Sequence, residues 1–204
     1  MKLIKTIASI LVAALFVNVV SAGVPVAGTP SKGGKKVTLA VDTKASKIHW
    51  LAKKVTGQHE GTINLASGSL VSDGKKVTGG DFVIDMKSIV ATDITDAEYN
   101  KKFIGHITTG DFFEVDKFPT ASFKITKVEG ANITGDLTLH GVTKSITFPA
   151  KVAMVGGKAT ATASIPVDRT DFGVKYGSKK FFDSIGDKAI DDVFNLDITL
   201  VAGK

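Results

Sequence analysis

The sequence predicts an all-β domain of about eight antiparallel strands, with one or two short helices. Three observations support this prediction. Apolar and polar residues alternate over most of the chain after Val37, glycine-bearing turns separate the alternating runs, and no heptad pattern interrupts them. Such alternation is typical of strands with one buried and one solvated face. The number and spacing of the runs fit an up-and-down barrel or a sandwich.

The strands follow one another through short turns. An early strand carries Ile48 and Trp50 on one parity. The clearest runs after it are, in chain order, TGGDFVIDMKSI, TASFKITKV, NITGDLTLH, SITFPAKVAM and FNLDITL, and the turns between runs read SDGKK, VEGAN, HGVTK and VGGK. In the first of these runs Phe82, Ile84 and Met86 share one parity, so all three should face the interior.

One predicted strand, KATATASIPVD, has an unusually small inner face. Ala159, Ala161 and Ala163 occupy successive apolar positions. Three inward alanines would leave space inside a barrel, and an eight-stranded barrel has room for one small ligand. The alternative is that bulky residues opposite, such as Phe123 or Phe148, fill that space, since protein interiors are usually packed.

Two segments break the alternation. Residues 92–107, TDITDAEYNKKFIGHI, have near-helical apolar spacing, with Asp93 or Thr95 as the expected N-cap and Asp96 in the first turn. The second segment, YGSKKFFDSIGDKAIDD, is predicted to be a loop with a helical turn.

The N-terminus has the pattern of a signal peptide over residues 1–22. Lys2 and Lys5 precede an apolar run, and VSA ends it before Gly23. Residues 23–36 are rich in Gly, Pro, Ser and Lys and are typical of a flexible leader. The domain is therefore expected over residues 37–204, in a protein exported to the periplasm, with full secretion as an open alternative.

Composition excludes several classes of function. The chain has no cysteine, which rules out disulfides, thiolate metal sites and lipid attachment through an N-terminal cysteine. The net charge of +6 falls to +4 once Lys2 and Lys5 are removed, and the lysines are scattered. Because no basic block is interleaved with aromatics, nucleic acid is not a predicted partner.

The sequence contains no recognisable metal, cofactor or catalytic motif. The four histidines, His49, His59, His106 and His140, form neither HxH nor HExxH and fall on separate elements, so neither a metal nor a cofactor is predicted. No GxSxG or phosphate loop occurs. Asp168 and Asp171 are the one candidate acid–base pair, and a salt-bridged loop is the usual meaning of such a cluster.

Arg169 is the only arginine among 26 basic residues. It lies near the start of a stretch with several aromatic residues, VDRTDFGVKYGSKKFF. Two roles are open for it: pinning this loop through Asp168, Asp171 or backbone carbonyls, or binding a ligand head group at the barrel mouth. Loop aromatics in this stretch and in GDFFEVDKFP indicate lids over a barrel end, or small satellite cores under the loops.

Several stretches between Val41 and Ala202 match a known family in its order. They are VDTKASKIHW, GDFFEVDKFPTASFKIT, ITGDLTLHGVTKSITFPA, VDRTDFGV and AIDDVFNLDITLVA. Together they resemble the YceI-like family of exported bacterial lipid- or polyisoprenoid-binding proteins, and DFF…KFP…F followed by GDLTLHGVTK is specific in combination. The resemblance implies a lipocalin-like eight-stranded barrel with a hydrophobic tunnel for an isoprenoid or fatty-acyl chain, and its motif includes Arg169.

Two departures from the family pattern concern the head-group end. Lys54 stands where many members have a histidine, and the helix end before DFF reads GHITTG. Head-group contacts are therefore not carried over to these positions.

The predicted function is binding of one long apolar molecule by a non-enzymatic exported barrel. The alternatives are a hydrolase or isomerase that uses Asp168 and Asp171, and an interaction module with a solid core. Membrane or membrane-protein contact is a further possible partnership, and the oligomeric state, a dimer included, is open. The candidate ligand-binding residues are Ile48, Trp50, Phe82, Ile84, Met86, Phe112, Phe113, Phe123, Leu137, Phe148, Ala161, Ala163, Arg169, Phe172, Tyr176 and Phe182.

Overall fold

The structure is a computed structural model that describes residues 35–203. The predicted signal peptide and nearly all of the predicted leader lie outside the described residues. The first strand begins at Val37.

Nine strands and one α-helix are present within residues 35–203. The strands are β1 Val37–Ala40, β2 Lys47–Lys54, β3 Gly57–Ser72, β4 Val77–Ala91, β5 Thr120–Glu129, β6 Asn132–Leu139, β7 Val142–Val155, β8 Lys158–Asp168 and β9 Val193–Ala202. Helix α1 spans Ala97–Thr108, and two short 3-10 helices span Arg169–Phe172 and Gly186–Lys188. The second of these is the helical turn predicted within the late loop.

The strands β2 to β9 form a closed antiparallel barrel. Each pairs with the next along the chain, and β9 pairs back with β2, for example Trp50 opposite Leu196. The short strand β1 pairs with the end of β3 that β2 leaves free, so β1 and β2 share one place in the barrel wall. The prediction of an eight-stranded antiparallel barrel is confirmed.

The two ends of the barrel differ because antiparallel connections alternate between them. One end carries only short connections, among them the β3–β4, β5–β6 and β7–β8 turns, where Gly74, Gly130 and Gly156 have positive φ. The other end, called the mouth here, carries the β2–β3 and β6–β7 turns, the connection that contains α1, and residues 169–192 between β8 and β9.

Two prolines mark a place where neighbouring strands separate. The β7–β8 ladder runs from Val155 opposite Lys158 to Ala150 opposite Ala163 and then stops. Its continuation would require Pro149 and Pro166, which have no N–H to donate. On the mouth side of this point β7 pairs only with β6 and β8 only with β9, and the 3-10 helix Arg169–Phe172 packs against β7.

Helix α1 forms where helical spacing was predicted, but its cap differs from the expected one. Asp96 is the N-cap, and its carboxylate accepts a hydrogen bond from the Tyr99 N–H at 2.7 Å. The expectation of Asp93 or Thr95 was wrong, because the Asp93 carboxylate instead bonds the His59 ring at 2.8 Å. On α1, Ile107 is buried and Phe103 packs against the core. No helix within residues 35–203 has the length and hydropathy that a bilayer crossing requires.

Gly135, on β6, offers a test of how tightly the interior wall packs. A Cβ there would clash with the Phe123 ring and the Lys124 carbonyl oxygen. We expect Gly135→Ala to lower the free energy of unfolding by about 1–3 kcal/mol, measured by urea denaturation. Gly105→Ala on α1 is the control, since a Cβ there meets open space and should raise stability by up to about 1 kcal/mol. Equal effects of the two changes would contradict the packing described.

Candidate functional site

The barrel encloses an apolar cavity of about 730 Å³. All eight barrel strands contribute side chains to its wall. This volume falls within the roughly 300–1,000 Å³ typical of small-molecule sites. The cavity exists because the interior is lined but not filled: Phe123 and Phe148 lie 5.5 Å apart at their ring centroids, and both border open space.

The structure brings together most of the residues that the sequence singled out. Fourteen of the sixteen candidates line the cavity: Ile48, Trp50, Phe82, Ile84, Met86, Phe112, Phe113, Phe123, Leu137, Phe148, Ala161, Ala163, Arg169 and Tyr176. Phe172 does not, because its side chain is 2% exposed and buried in the 3-10 helix that packs on β7. Phe182 does not either, because it lies on the outer surface of the β8–β9 connection.

The inner face of β8 borders the cavity with small side chains. Ala161 and Ala163 line the cavity, while Ala159 is fully buried and does not. In the ladders beside them, Ala161 faces Val152 and Leu200. Phe123 and Phe148 therefore do not fill this space, as the alternative had proposed. The interaction module with a solid core is not supported for the same reason.

Aromatic rings from three segments gather at the mouth. On α1, Phe103 lies 6.3 Å from Trp50 on the barrel wall, measured between ring centroids. His106, also on α1, lies 5.2 Å from Phe112 and 4.8 Å from Tyr176. All five rings line the cavity, so α1 and the two loops close one end of it with aromatic surface.

Polar and charged side chains line the cavity near the mouth, and sequence reasoning did not select them as site residues. They are Lys53, Lys54, Thr56, Gln58, His59, Tyr99, His106, Asp187, Lys188 and Asp191. Lys54 shares the parity of Ile48, Trp50 and Ala52, which is the sequence signal that places it at the inner rim of β2. The cavity therefore has an apolar body and a polar end.

The indole N–H of Trp50 is the only buried side-chain donor on β2 without a hydrogen-bond acceptor in the described part of the chain. This N–H is closed off from solvent, and the Trp50 ring packs where Gly61 leaves room on β3, since a Cβ at Gly61 would clash with it.

Arg169 clamps the two ends of the β8–β9 connection together. Its guanidinium donates to three backbone carbonyls, those of Val174 at 3.0 Å, Ile190 at 3.1 Å and Asp191 at 3.1 Å. The nearest carboxylate is that of Asp192, at 3.6 Å, rather than Asp168 or Asp171. Burial lowers the pKa of Arg169 and Asp192 opposes this, and the guanidinium remains charged. This geometry favours the loop-pinning role over head-group binding.

Asp168 and Asp171 are not arranged as an acid–base pair, and neither lines the cavity. Asp168 accepts hydrogen bonds from the Thr170 backbone and hydroxyl and from Lys180, whose Nζ lies 2.7 Å away. Burial raises the pKa of Asp168, but the bonds from Lys180 and Thr170 outweigh it, so the pKa lies below its ordinary value. Asp171 is exposed. The pair therefore lacks both the position and the geometry of a catalytic site.

The histidines occupy separate structural positions. His59 bonds Asp93, and the His140 Nδ1 lies 3.0 Å from the Phe172 carbonyl oxygen. Within residues 35–203, no three His, Cys, Asp or Glu side chains gather closely enough to hold a metal ion.

Comparison with known proteins identifies relatives of sequence and of fold. The model of the YceI-like domain matches residues 39–202. A UPF0312 protein of Pseudomonas putida strain W619 is 35% identical over 126 residues, which cover 56% of this chain. A UPF0312 protein of Pseudomonas aeruginosa strain PAO1 is 34% identical over 125 residues. The chain spans 63% of the length of each of these two relatives.

Two solved structures share the fold. BcnA of Burkholderia cenocepacia superposes with a TM-score of 0.63 at 25% identity, covering 79% of this chain and 99% of that one. A polyisoprenoid-binding domain from Saccharophagus degradans, implicated in plant cell wall breakdown, gives a TM-score of 0.61 at 17% identity, covering 81% and 97%. At that identity the second match concerns the fold alone.

Arg169→Lys should separate the two roles considered for this residue. Lysine keeps the charge, but a single ammonium cannot serve three carbonyls in a fixed fork. We expect a loss of about 2–4 kcal/mol in the free energy of unfolding, with unchanged ligand affinity per folded molecule. Lys180→Ala, which removes the two ion pairs of an exposed lysine with Asp168 and Asp192, is the control and should cost less. Lost affinity with intact stability would instead establish the head-group role.

The pairing of Asp168 predicts a pH dependence of stability. Because its pKa is lower in the folded state, the carboxylate stabilises the fold above its unfolded pKa, about 3.9, and this contribution is lost as the pH falls through the folded pKa. We expect the gap in urea midpoint between wild type and Asp168→Asn to narrow below about pH 4. Asp171→Asn is the matched control and should parallel wild type. A gap that is independent of pH would refute the pairing.

Proposed function

The chain belongs to the family of YceI-like domains, and on that premise we propose that it is a non-catalytic, exported protein that binds one long apolar molecule in its barrel, for transport, storage or sequestration. The observation that carries the proposal is the cavity itself. It is large, and apart from Thr162 its polar lining residues lie towards the mouth. This arrangement suits an amphiphile with a long chain and a small polar head.

The energetics of such binding require no reactive group. Each methylene moved from water into an apolar wall contributes roughly 0.8 kcal/mol, which corresponds to about a fourfold change in affinity. A chain of many methylenes therefore gains affinity from wall area alone, offset by the cost of ordering it. The wall residues of all eight strands supply that area.

The ligand class is proposed from two kinds of support. The cavity walls are aliphatic and aromatic, which favours an isoprenoid, a quinone precursor or a fatty-acyl chain over a polar molecule. A neighbour in fold is described as a polyisoprenoid-binding domain. The head group would lie near the polar end, beside Lys53, Lys54 and Lys188.

Export to the periplasm is the proposed route to the site of action. It is supported by the sequence pattern of residues 1–22, with two lysines, an apolar run and VSA before Gly23. Because the chain has no cysteine, the barrel must be stable without disulfides in that compartment.

A cavity-filling substitution tests the proposal directly. Ala163→Phe places a ring in the cavity, so we expect native mass spectrometry of gently purified protein to show bound lipid in wild type and little in the variant. Saturable uptake of a fluorescent fatty acid or isoprenoid should weaken at least about tenfold. Ala153→Phe is the control, because Ala153 is exposed on β7 and does not line the cavity. Wild type with neither bound lipid nor saturable uptake would disprove the proposed function.

A further inference from the structure

Large apolar side chains are exposed together beside the mouth of the barrel. Tyr176, Phe181 and Phe182 lie on the β8–β9 connection, and Val55 lies at the β2–β3 turn. Each is between 43% and 53% exposed. These four residues are called the rim patch here. Exposed apolar residues are common singly, but a cluster of aromatics on one surface indicates an interaction site.

Backbone hydrogen bonds tie together the segments that carry the rim patch. The Val55 N–H donates to the Ala189 carbonyl at 3.1 Å, and the Ile190 N–H donates to the Gly177 carbonyl at 2.9 Å. The N–H groups of Phe181 and Phe182 both donate to the Ser178 carbonyl at 3.1 Å. The β2–β3 turn and the loop that carries the aromatic rings are thus held side by side.

The surroundings of the rim patch are basic. Six lysines belong to its two segments, residues 53–58 and 174–191, against three carboxylates, those of Asp183, Asp187 and Asp191. The lysines are Lys53, Lys54, Lys175, Lys179, Lys180 and Lys188. Among the described residues only Lys180 of these six forms an ion pair, and the Lys175 ammonium lies 4.8 Å from the Phe181 ring centroid. Aromatic rings interleaved with lysines that form no ion pair among the described residues suit the interface of an anionic bilayer.

The balance of charge differs between the rim patch and the segment that follows α1. The segment that follows α1 is acidic, with Asp111, Glu114 and Asp116 against Lys117. At the opposite end of the barrel the exposed large apolar residues are aliphatic, Val37 and Val155. The two segments of the rim patch therefore combine aromatic rings with an excess of lysine beside the cavity opening, which suits a negatively charged apolar surface.

We propose that the rim patch docks the barrel on the surface of a bilayer that contains anionic phospholipid. Phe181 and Phe182 enter the headgroup region, the lysines meet lipid phosphates, and the mouth is brought next to the membrane. This inference goes beyond the proposed function, since it rests on side chains exposed at the mouth and not on the occupant of the cavity. Binding through the rim patch is weak and reversible, because its apolar area is small and no helix within residues 35–203 is long and apolar enough to insert.

Vesicle flotation tests the docking surface. Protein purified from the periplasm is mixed with vesicles of phosphatidylcholine, with or without phosphatidylglycerol. We expect binding only with phosphatidylglycerol, falling as salt is raised. Phe181→Ser with Phe182→Ser should weaken it at least about tenfold, and Lys175→Glu with Lys179→Glu should do the same. Val155→Ser and Lys151→Glu, on the far turn and the outer wall, are the matched controls. Wild type and all variants have the same N-terminus, so any contribution of the N-terminus to vesicle binding is the same in each.

The outcomes separate this inference from the proposed function. Uptake of a monomeric fluorescent fatty acid is measured on the same variants and should stay at the wild-type level, which also shows that they fold. Vesicle binding that is equal in wild type and both rim variants, or absent in wild type, would overturn the docking proposal. If wild type binds vesicles but takes up no fluorescent fatty acid, the proposed function is overturned and the docking proposal is still supported.

Discussion

The ladder between β2 and β9 is the interaction on which the cavity depends, because it turns an open antiparallel sheet into a closed barrel. Five residue pairs form it, from Lys47 opposite Thr199 to Leu51 opposite Asn195. Closure leaves every barrel strand with a neighbour on each side over at least part of its length and gathers eight apolar faces around one interior. The wall facing this interior is mostly apolar, and on β8 its side chains are as small as Ala161 and Ala163. An apolar space remains inside the barrel because these small side chains do not fill it.

The connection between β8 and β9 depends in turn on Arg169. A segment of this length at a barrel end has few strand partners, and its carbonyls need donors when they are buried. One guanidinium supplies three of them at once, and its backbone N–H donates to the Asp192 carbonyl at 2.8 Å. Lysine, which provides every other basic side chain in the protein, cannot do this with one nitrogen. The solitary arginine, the mouth aromatics and the rim patch are therefore parts of one local structure.

Local patterns were enough to predict the strands and most of the inner face, while the choice of a barrel over a sandwich rested on the family resemblance. Period-two alternation assigns each strand residue to a side, so Ile48, Trp50 and Phe82 could be placed in the wall before their neighbours were known. Loops follow no such period, which is why Phe172 and Phe182 were misplaced among the candidates. The cap of α1 was missed because three possible capping residues lie within four positions. Asp93 is removed from them by tertiary hydrogen bonds with the His59 ring and the Glu60 N–H, which the local sequence does not reveal. The partners of Arg169 are carbonyls up to 22 residues away, and the sequence has no marker for them.

The separation of β7 from β8 affects the tendency of this protein to aggregate with other copies of itself. Strand edges without partners are templates on which another chain can add a strand, and this is a common start of aggregation. Here the unpaired edges carry Pro149 and Pro166, one on each strand. A proline offers no N–H to an incoming strand and breaks the regular spacing that growth of a sheet requires. Pro149 and Pro166 therefore end the β7–β8 ladder and also disfavour intermolecular strand pairing at the edges that this leaves.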